Sequence, residues 1–231
     1  INKSNIMGFY RGPNIVTDGL VFAIDAGSER SYPGSGTTAT DLAGANTVAL
    51  VNGVSYNPNQ GGKWGFDGID DQIYLNSGTA LVLNDFTITQ WIQFPATSSR
   101  MSIGGGLYTT TPVQEYRGYI WYRSAQNQII VAVNNETGAT FTVAESVYCN
   151  KWSQITATRS GGTYKLYVDG VQVDVTRTGS TNDFSIRTIG WSYSNSYAFA
   201  GSISNTLIYN TALIDTQVAQ NFNAQKSRFG L

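Results

Sequence analysis

Tyr164-Lys-Leu-Tyr-Val-Asp-Gly-Val-Gln-Val-Asp-Val175 consists of two runs with alternating apolar residues that meet at Asp169-Gly170. Asp-Gly between such runs is a two-residue turn of the type I′ kind, in which both residues take positive φ. The register it sets pairs Val168 with Val171, Leu166 with Val173 and Tyr164 with Val175. Those side chains then share one face, and Lys165, Tyr167, Gln172 and Asp174 share the other. Turn chemistry and apolar pattern agree on a β-hairpin.

The same period of two recurs upstream. Phe86, Ile88, Ile92 and Phe94 fall on one parity, and Thr87, Thr89 and Gln93 on the other. Such alternation sends one set into a core, and its β-branched and aromatic composition favours strand over helix. Further strands are expected at 19–25, 62–67, 72–75, 101–104, 118–122, 128–133, 139–144, 153–159, 185–190, 198–202 and 205–209. Clusters of Gly, Asn, Ser and Pro separate them, as in Asn57-Pro-Asn-Gln-Gly-Gly62 and Ser160-Gly-Gly162. Many short, evenly punctuated strands predict an all-β protein of two packed antiparallel sheets. One helix is expected near the end. Asp215 is placed to cap it, Val218, Ala219 and Phe222 form its apolar stripe, and Ile214 and Ala219 suit a hydrophobic staple. Residues 1–18 are polar and broken by Pro13, and read as an N-terminal arm ahead of one domain, 19–231.

Composition narrows the function. The 231 residues include 14 Lys and Arg against 15 Asp and Glu, a formal net charge of −1. No basic surface for nucleic acid is expected from that balance. The complete absence of His removes Ser-His-Asp and Cys-His catalysis, HExxH zinc sites and Cys/His zinc sites. A single Cys, Cys149, excludes an intrachain disulfide and reads as a buried, inert thiol. No apolar run reaches the roughly 18 residues of a membrane span, so no membrane insertion is expected. The start lacks the basic-then-apolar pattern of a signal peptide. A chain opening on Ile1 is expected either to have lost residues upstream or to contain an internal start at Met7.

Three segments in order resemble a known family. They are Gly65-Phe-Asp-Gly-Ile-Asp-Asp-Gln-Ile-Tyr74, then Trp152 followed by Leu166-Tyr-Val-Asp-Gly170, then Ile189-Gly190 followed by Phe199-Ala-Gly-Ser-Ile-Ser-Asn-Thr-Leu-Ile-Tyr-Asn-Thr-Ala-Leu213. Together they resemble the concanavalin A-like lectin/glucanase superfamily, in its laminin-G/pentraxin branch. The resemblance implies a jelly-roll sandwich with a short C-terminal helix. Tyr10-Arg-Gly-Pro-Asn-Ile-Val-Thr-Asp-Gly-Leu20 and the tail Asn221-Phe-Asn-Ala-Gln-Lys-Ser-Arg-Phe-Gly230 resemble structural proteins of tailed bacteriophages, cyanophages especially. That likeness implies a virion-surface protein (capsid decoration, fibre or tail adhesin), with other virion proteins, a further copy of itself or a host-surface glycan as partners.

The candidate chemistry is recognition. Retaining glucanases of the superfamily carry a Glu-x-Asp-x-x-Glu strand, whereas the four glutamates here, Glu29, Glu115, Glu136 and Glu145, have no acid two positions on. A glycosidase needs two carboxyl groups at a set separation, so no enzyme is expected, with a glycan-processing enzyme or a secreted bacterial lectin as the alternatives. Asp67, Asp70 and Asp71 cluster in a turn. They suit either backbone capping around Gly68 or a calcium ion, which wants six to eight oxygens and which many laminin-G-like domains hold at a rim loop. Where many relatives have Asp after Gly-x-Ile, this chain has Ser204. Otherwise no cofactor is expected. Trp191, Tyr193, Asn195 and Tyr197 lie in one polar loop, and Tyr108, Tyr116 and Arg117 in another that is placed on the same rim. Rings stack on sugar C–H faces and short polar groups meet hydroxyls, so these residues suit a glycan; Tyr- and Ser-rich loops equally suit a protein partner. Trp64, Trp91 and Trp152 read as core, whereas Trp121 has no clear side.

Overall fold

A computed structural model describes residues 13–44, 47–75, 80–96, 100–104, 118–133, 136–191 and 198–231. Nearly all regular structure in it is antiparallel β. One sheet runs in the order β15 (Val171–Thr178), β14 (Thr163–Val168), β13 (Ser153–Ser160), β8 (Phe86–Gln93), β18 (Ala200–Tyr209), β5 (Lys63–Asp67) and β4 (Ser55–Asn57). β1 (Leu20–Asp25) shares with β5 the far side of β18, β5 along residues 200–203 and β1 along 205–209. The second sheet runs β12 (Glu136–Thr142), β11 (Gln128–Val133), β10 (Gly118–Arg123), β9 (Arg100–Gly104), β17 (Thr188–Ile189), β6 (Gln72–Leu75), β3 (Thr47–Val51) and β2 (Thr38–Thr40). A separate ribbon pairs β7 (Leu81–Leu83) with β16 (Phe184–Ile186). The fold is the jelly-roll sandwich that the sequence predicts.

The core is what the period of two delivers. Ile88 and Ile92 of β8 face Ile103, Ile120, Ile129 and Val131 of the other sheet in one buried cluster. Gln90 has the same inward parity and is buried because its amide is satisfied: Nε2 donates to Thr206 Oγ1 at 3.1 Å and Oε1 accepts from Ser102 Oγ at 2.6 Å. A buried amide is tolerated only with partners of this kind.

The outer face of the first sheet is covered by α1 (Asp215–Gln225) and the tail beyond it. Trp91 points outward in parity yet is fully buried, stacked on Phe229 at 4.0 Å and on Phe222 at 5.7 Å. Trp152 packs on the same Phe229 ring at 4.9 Å. Beside them Asn221 accepts from Val16 N–H and donates to Tyr209 Oη, whose hydroxyl donates to the Val16 carbonyl. Residues 13–18 therefore end the expected arm by packing along the helix.

The structure corrects several local expectations. In the hairpin, Asp169 and Gly170 take φ of 52° and 79° and Val168 and Leu166 pair as expected. Tyr164, however, faces Arg177 and not Val175, because β15 bulges at Asp174, whose φ is 60°. β15 is an edge strand, so Val171 and Val175 are exposed, while Tyr167 on the opposite face of β14 is buried under α1. Segment 185–190 divides between β16 and β17, and 198–202 with 205–209 form the single strand β18. Strands β2, β3, β4 and β7, three to five residues each, are not among the expected strands. Ile214, and not Asp215, is the N-cap. Its backbone N–H donates to Gln217 Oε1 and its side chain is exposed, so the expected Ile214–Ala219 staple does not form, and Leu213 and Val218 are buried together in its stead. On β10, Ile120 and Tyr122 face the core, which puts Tyr119 and Trp121 on the outer face.

Candidate functional site

Strand register defines two ends of the sandwich. β17 enters at Thr188, which pairs with Gly104 and with Tyr74, and moves on to Ile189, opposite Ile103 and Ile73. Gly190 then donates its N–H to the Ser102 carbonyl at 2.9 Å, so the loop that begins at Trp191 leaves by the end where β9 starts. The 105–117 segment leaves β9 after Gly104, at the opposite end. The described stems, Gly104 of β9 and Gly190 after β17, thus stand at different ends. Tyr108, Tyr116, Arg117, Tyr193, Asn195 and Tyr197 themselves lie outside the described residues.

Trp191 is described, and its setting is built. Gly190 has φ of 87°, and a Cβ there would stand 2.2 Å from the Phe66 ring, so glycine is required at the step before the indole. Thr188 Oγ1 donates to the Trp191 carbonyl at 2.6 Å. Phe199 N–H donates to the Gly190 carbonyl at 2.8 Å and closes the base of the loop. Trp191 itself is half-buried.

The acidic turn stands at the same rim. β6 starts at Gln72, at the end where the antiparallel β17 stops at Ile189, so the acidic turn before β6 and Trp191 after β17 lie at one end of the sandwich. One ligand oxygen from each of Asp67, Asp70 and Asp71 lies within 4.8 Å of the others. Part of the capping expectation holds: Asp67 Oδ1 accepts from Ile69 N–H at 2.7 Å and Asp71 Oδ2 accepts from Asp67 N–H at 2.8 Å. Asp71 is only 4% exposed, and its other oxygen, Oδ1, has no hydrogen-bond partner. Burial pushes its carboxyl above the usual carboxylate range, the Asp67 N–H works against that, and the charges of Asp67 and Asp70 add to it. Asn52, Gly53, Ser55, Gly65, Phe66, Asp67, Asp71 and Gly201 surround a cavity of about 380 Å³ there. Sequence reading missed Asn52 and Gly53, although Asn-Gly between apolar runs is itself a turn signal; their φ values are 65° and 111°.

At the other end lies a groove of about 510 Å³ between Thr158, Thr163 and Lys165 and the start of α1. Asp215 bridges it, accepting from Lys165 Nζ at 2.9 Å and from Tyr167 Oη at 2.7 Å. Cys149 is buried as expected, and burial pushes its thiol to about 11. No helix among the described residues is long and apolar enough to cross a membrane.

Comparison with known proteins gives a consistent picture of the fold. A family model described as Laminin_G_3, concanavalin A-like lectin/glucanases superfamily, matches residues 67–219. A search of the curated proteins finds no match. Among solved structures, Trypanosoma rangeli sialidase in complex with sialic acid superposes with a TM-score of 0.62 at 16% identity, over 94% of this chain and 35% of that one. This chain thus spans about a third of the sialidase's length. Domain 4 of AbnA, an extracellular arabinanase of Geobacillus stearothermophilus, in complex with arabinotriose, gives a TM-score of 0.61 at 15% identity, over 88% of this chain and 98% of that domain. The binding domain of botulinum neurotoxin DC in complex with rat synaptotagmin II gives 0.62 at 16% identity, over 91% and 52%.

Proposed function

The chain belongs to the concanavalin A-like lectin/glucanases superfamily, and we propose that it is a non-enzymatic recognition module whose rim around Trp191 binds glycan. The observation that carries this is the fixed backbone at Trp191: a required glycine before it, a hydroxyl clamp on its carbonyl and a closed loop base behind it. An indole carried on a fixed backbone at a rim offers stacking area at a lower ordering cost than one on a free loop. Domain 4 of AbnA, 98% of whose length this chain matches in fold, is described with arabinotriose, which supports a saccharide as a ligand class for this fold. A chain without His, whose three clustered aspartates sit in one tight turn, suits binding better than turnover.

The module is assigned to the surface of a tailed-phage virion, as decoration, fibre or adhesin. The likeness of residues 10–20 and 221–230 to phage structural proteins supports this placement. Glycan-array binding by the wild type, lost in Trp191→Ala with unchanged thermal stability, is the expected result. Hydrolysis of a bacterial polysaccharide, abolished by a substitution at Asp70 or Asp71, would overturn the non-enzymatic reading. Imaging of the source particle with this chain located tests the virion placement; a chain found only as a secreted protein sinks it.

A further inference from the structure

We propose that the groove at the start of α1 takes the N-terminal arm of a second copy of this chain, with Ile6-Met-Gly-Phe-Tyr10 as the inserted stretch. The groove, about 510 Å³, lies on the outer face of the first sheet, where α1 begins. One wall is the end of the β13–β14 pair, where Ser160 stands opposite Thr163 and Thr158 opposite Lys165. The other wall is Ala212-Leu-Ile214, the segment that leads into the helix. The volume falls in the range of about 300–1,000 Å³ that ligand sites occupy.

The walls suit an extended peptide with apolar side chains. Ile214 is itself extended, with φ of −78° and ψ of 163°, and is 63% exposed, an apolar lip on the groove. Leu213 beside it is buried with Val218 and Tyr167, so the lip is fixed from behind. An extended wall facing a sheet end takes a strand-like segment, with side-chain contacts choosing which one. In residues 1–12 the apolar side chains concentrate at Ile6, Met7, Phe9 and Tyr10.

Charge agrees with that occupant. Residues 1–12 include Lys3 and Arg11 and no acid. Lys165, the cation that lines the groove, is already paired with Asp215 at 2.9 Å. Asp85, next to Ser160, accepts from Gly161 N–H at 2.8 Å and adds a negative charge at that end. A basic arm thus meets a groove with carboxylate in excess.

The course of the chain favours another copy over its own groove. Asn210 N–H donates to the Gly19 carbonyl, Val16 N–H donates to Asn221, and Gln220 donates to the Asn14 carbonyl. Followed backwards from Gly19, the chain passes from the start of α1 to its middle, and so heads away from the groove. It does so on the flank of α1 bonded to Tyr209, whereas the groove lies on the flank bonded through Asp215 to β14. Twelve extended residues reach about 40 Å, ample for a neighbouring copy.

The inference does not rest on the glycan reading, and sedimentation of the full chain over a range of concentrations tests it. An arm in another copy's groove is a heterologous contact, so the wild type should associate into reciprocal pairs, rings or chains. Ile6→Asp with Phe9→Asp spoils the arm and keeps the groove, whereas Ile214→Lys spoils the groove and keeps the arm. Each variant alone should associate about tenfold more weakly, or less still, with an unchanged unfolding midpoint. Mixed, the two should recover a complex that stops at one of each, because one supplies an intact arm and the other an intact groove. Should Ile214→Lys fail to fold, Thr163→Lys on the facing wall replaces it. Association should also weaken as salt rises. A wild type that stays monomeric, whether its arm fills its own groove or meets a different protein, overturns the proposal. So do variants that associate like the wild type, or a mixture that fails to pair.

Discussion

Arg228 grips Asp25 across 203 residues of chain, with Nη1 2.7 Å from Oδ1 and 2.9 Å from Oδ2. Its Nη2 reaches the Gly62 carbonyl at 3.0 Å and Ser204 Oγ at 2.6 Å. These groups meet where β1 ends and β5 begins along β18, the one break in pairing on that side of the strand. The C-terminal tail thus staples a seam in the sheet. Ser204 supplies the hydroxyl that accepts from the arginine and itself donates to the Gly62 carbonyl.

Arg228→Ala should destabilise the domain by about 2–4 kcal/mol, since it leaves a mostly buried carboxylate and a carbonyl unpaired. Arg228→Lys should recover only part of that, because one ammonium cannot reach all the acceptors the guanidinium fork spans. Denaturant unfolding of the three proteins measures both differences. Equal stability of Arg228→Ala and wild type would show the tail to be ornamental.

The same seam makes Gly27 irreplaceable. An alanine Cβ there would stand 1.6 Å from the Gly61 carbonyl oxygen, a backbone atom that cannot rotate away. Gly27→Ala should cost more than about 3 kcal/mol or prevent folding. Gly36, with φ of 92° and nothing within 4 Å, is the control. Its alanine variant should lose only about 1–2 kcal/mol, the strain of positive φ. Thermal unfolding separates the two.

Asp174 ties the open edges of the two sheets together. Its Oδ2 accepts from Thr142 N–H of β12 at 2.8 Å and from Arg177 at 2.6 Å. Burial pushes the carboxyl up, but the bonds from Thr142, Arg177 and Val175 outweigh it and hold it below the usual carboxylate range. A depressed folded-state value means that this stability is present above the unfolded pKa of about 3.9 and is lost as pH falls through the folded one. Asp174→Asn tolerates the positive φ but loses the charge, and should cost about 1 kcal/mol at neutral pH. That difference should shrink as pH falls through the depressed folded-state value; a constant gap at every pH would exclude the charge as its source.

Cys149 should be inert in the native protein. With its thiol pushed to about 11 by burial, almost none is thiolate at pH 8. A thiol-reactive dye should label it only as fast as the domain opens, and at once in denaturant. Stoichiometric labelling under native conditions would contradict the packing around Tyr148 and Cys149.

Thr87 joins the sheet to the start of α1: its hydroxyl donates to the Thr211 carbonyl and accepts from Leu213 N–H, each at 2.8 Å. Thr87→Val keeps the shape and removes both bonds, and should cost about 2 kcal/mol by leaving a buried N–H unpaired. Chemical denaturation with an unchanged m-value would confirm a purely energetic loss.

Local signals in the sequence were enough for the sandwich itself. Alternation along Phe86–Gln93 and the Asp169-Gly170 turn each depend on residues two to four positions apart, and backbone geometry reads such spacing directly. The candidate site was legible in part. The acids and Trp191 stood out as residue types, but their common rim depends on a ladder between β6 and β17, more than a hundred positions apart in the chain.

The sequence by itself determined the class of fold, its turns and the exclusion of histidine chemistry, because these follow from composition and short-range period. Only the tertiary structure decided that Trp91 is buried on an outward parity, that Arg228 closes the seam at Asp25, and that one oxygen of Asp71 is left bare. Each of those outcomes rests on which distant segments dock together. Side-chain shape and chain topology settle that jointly, and no local pattern encodes it.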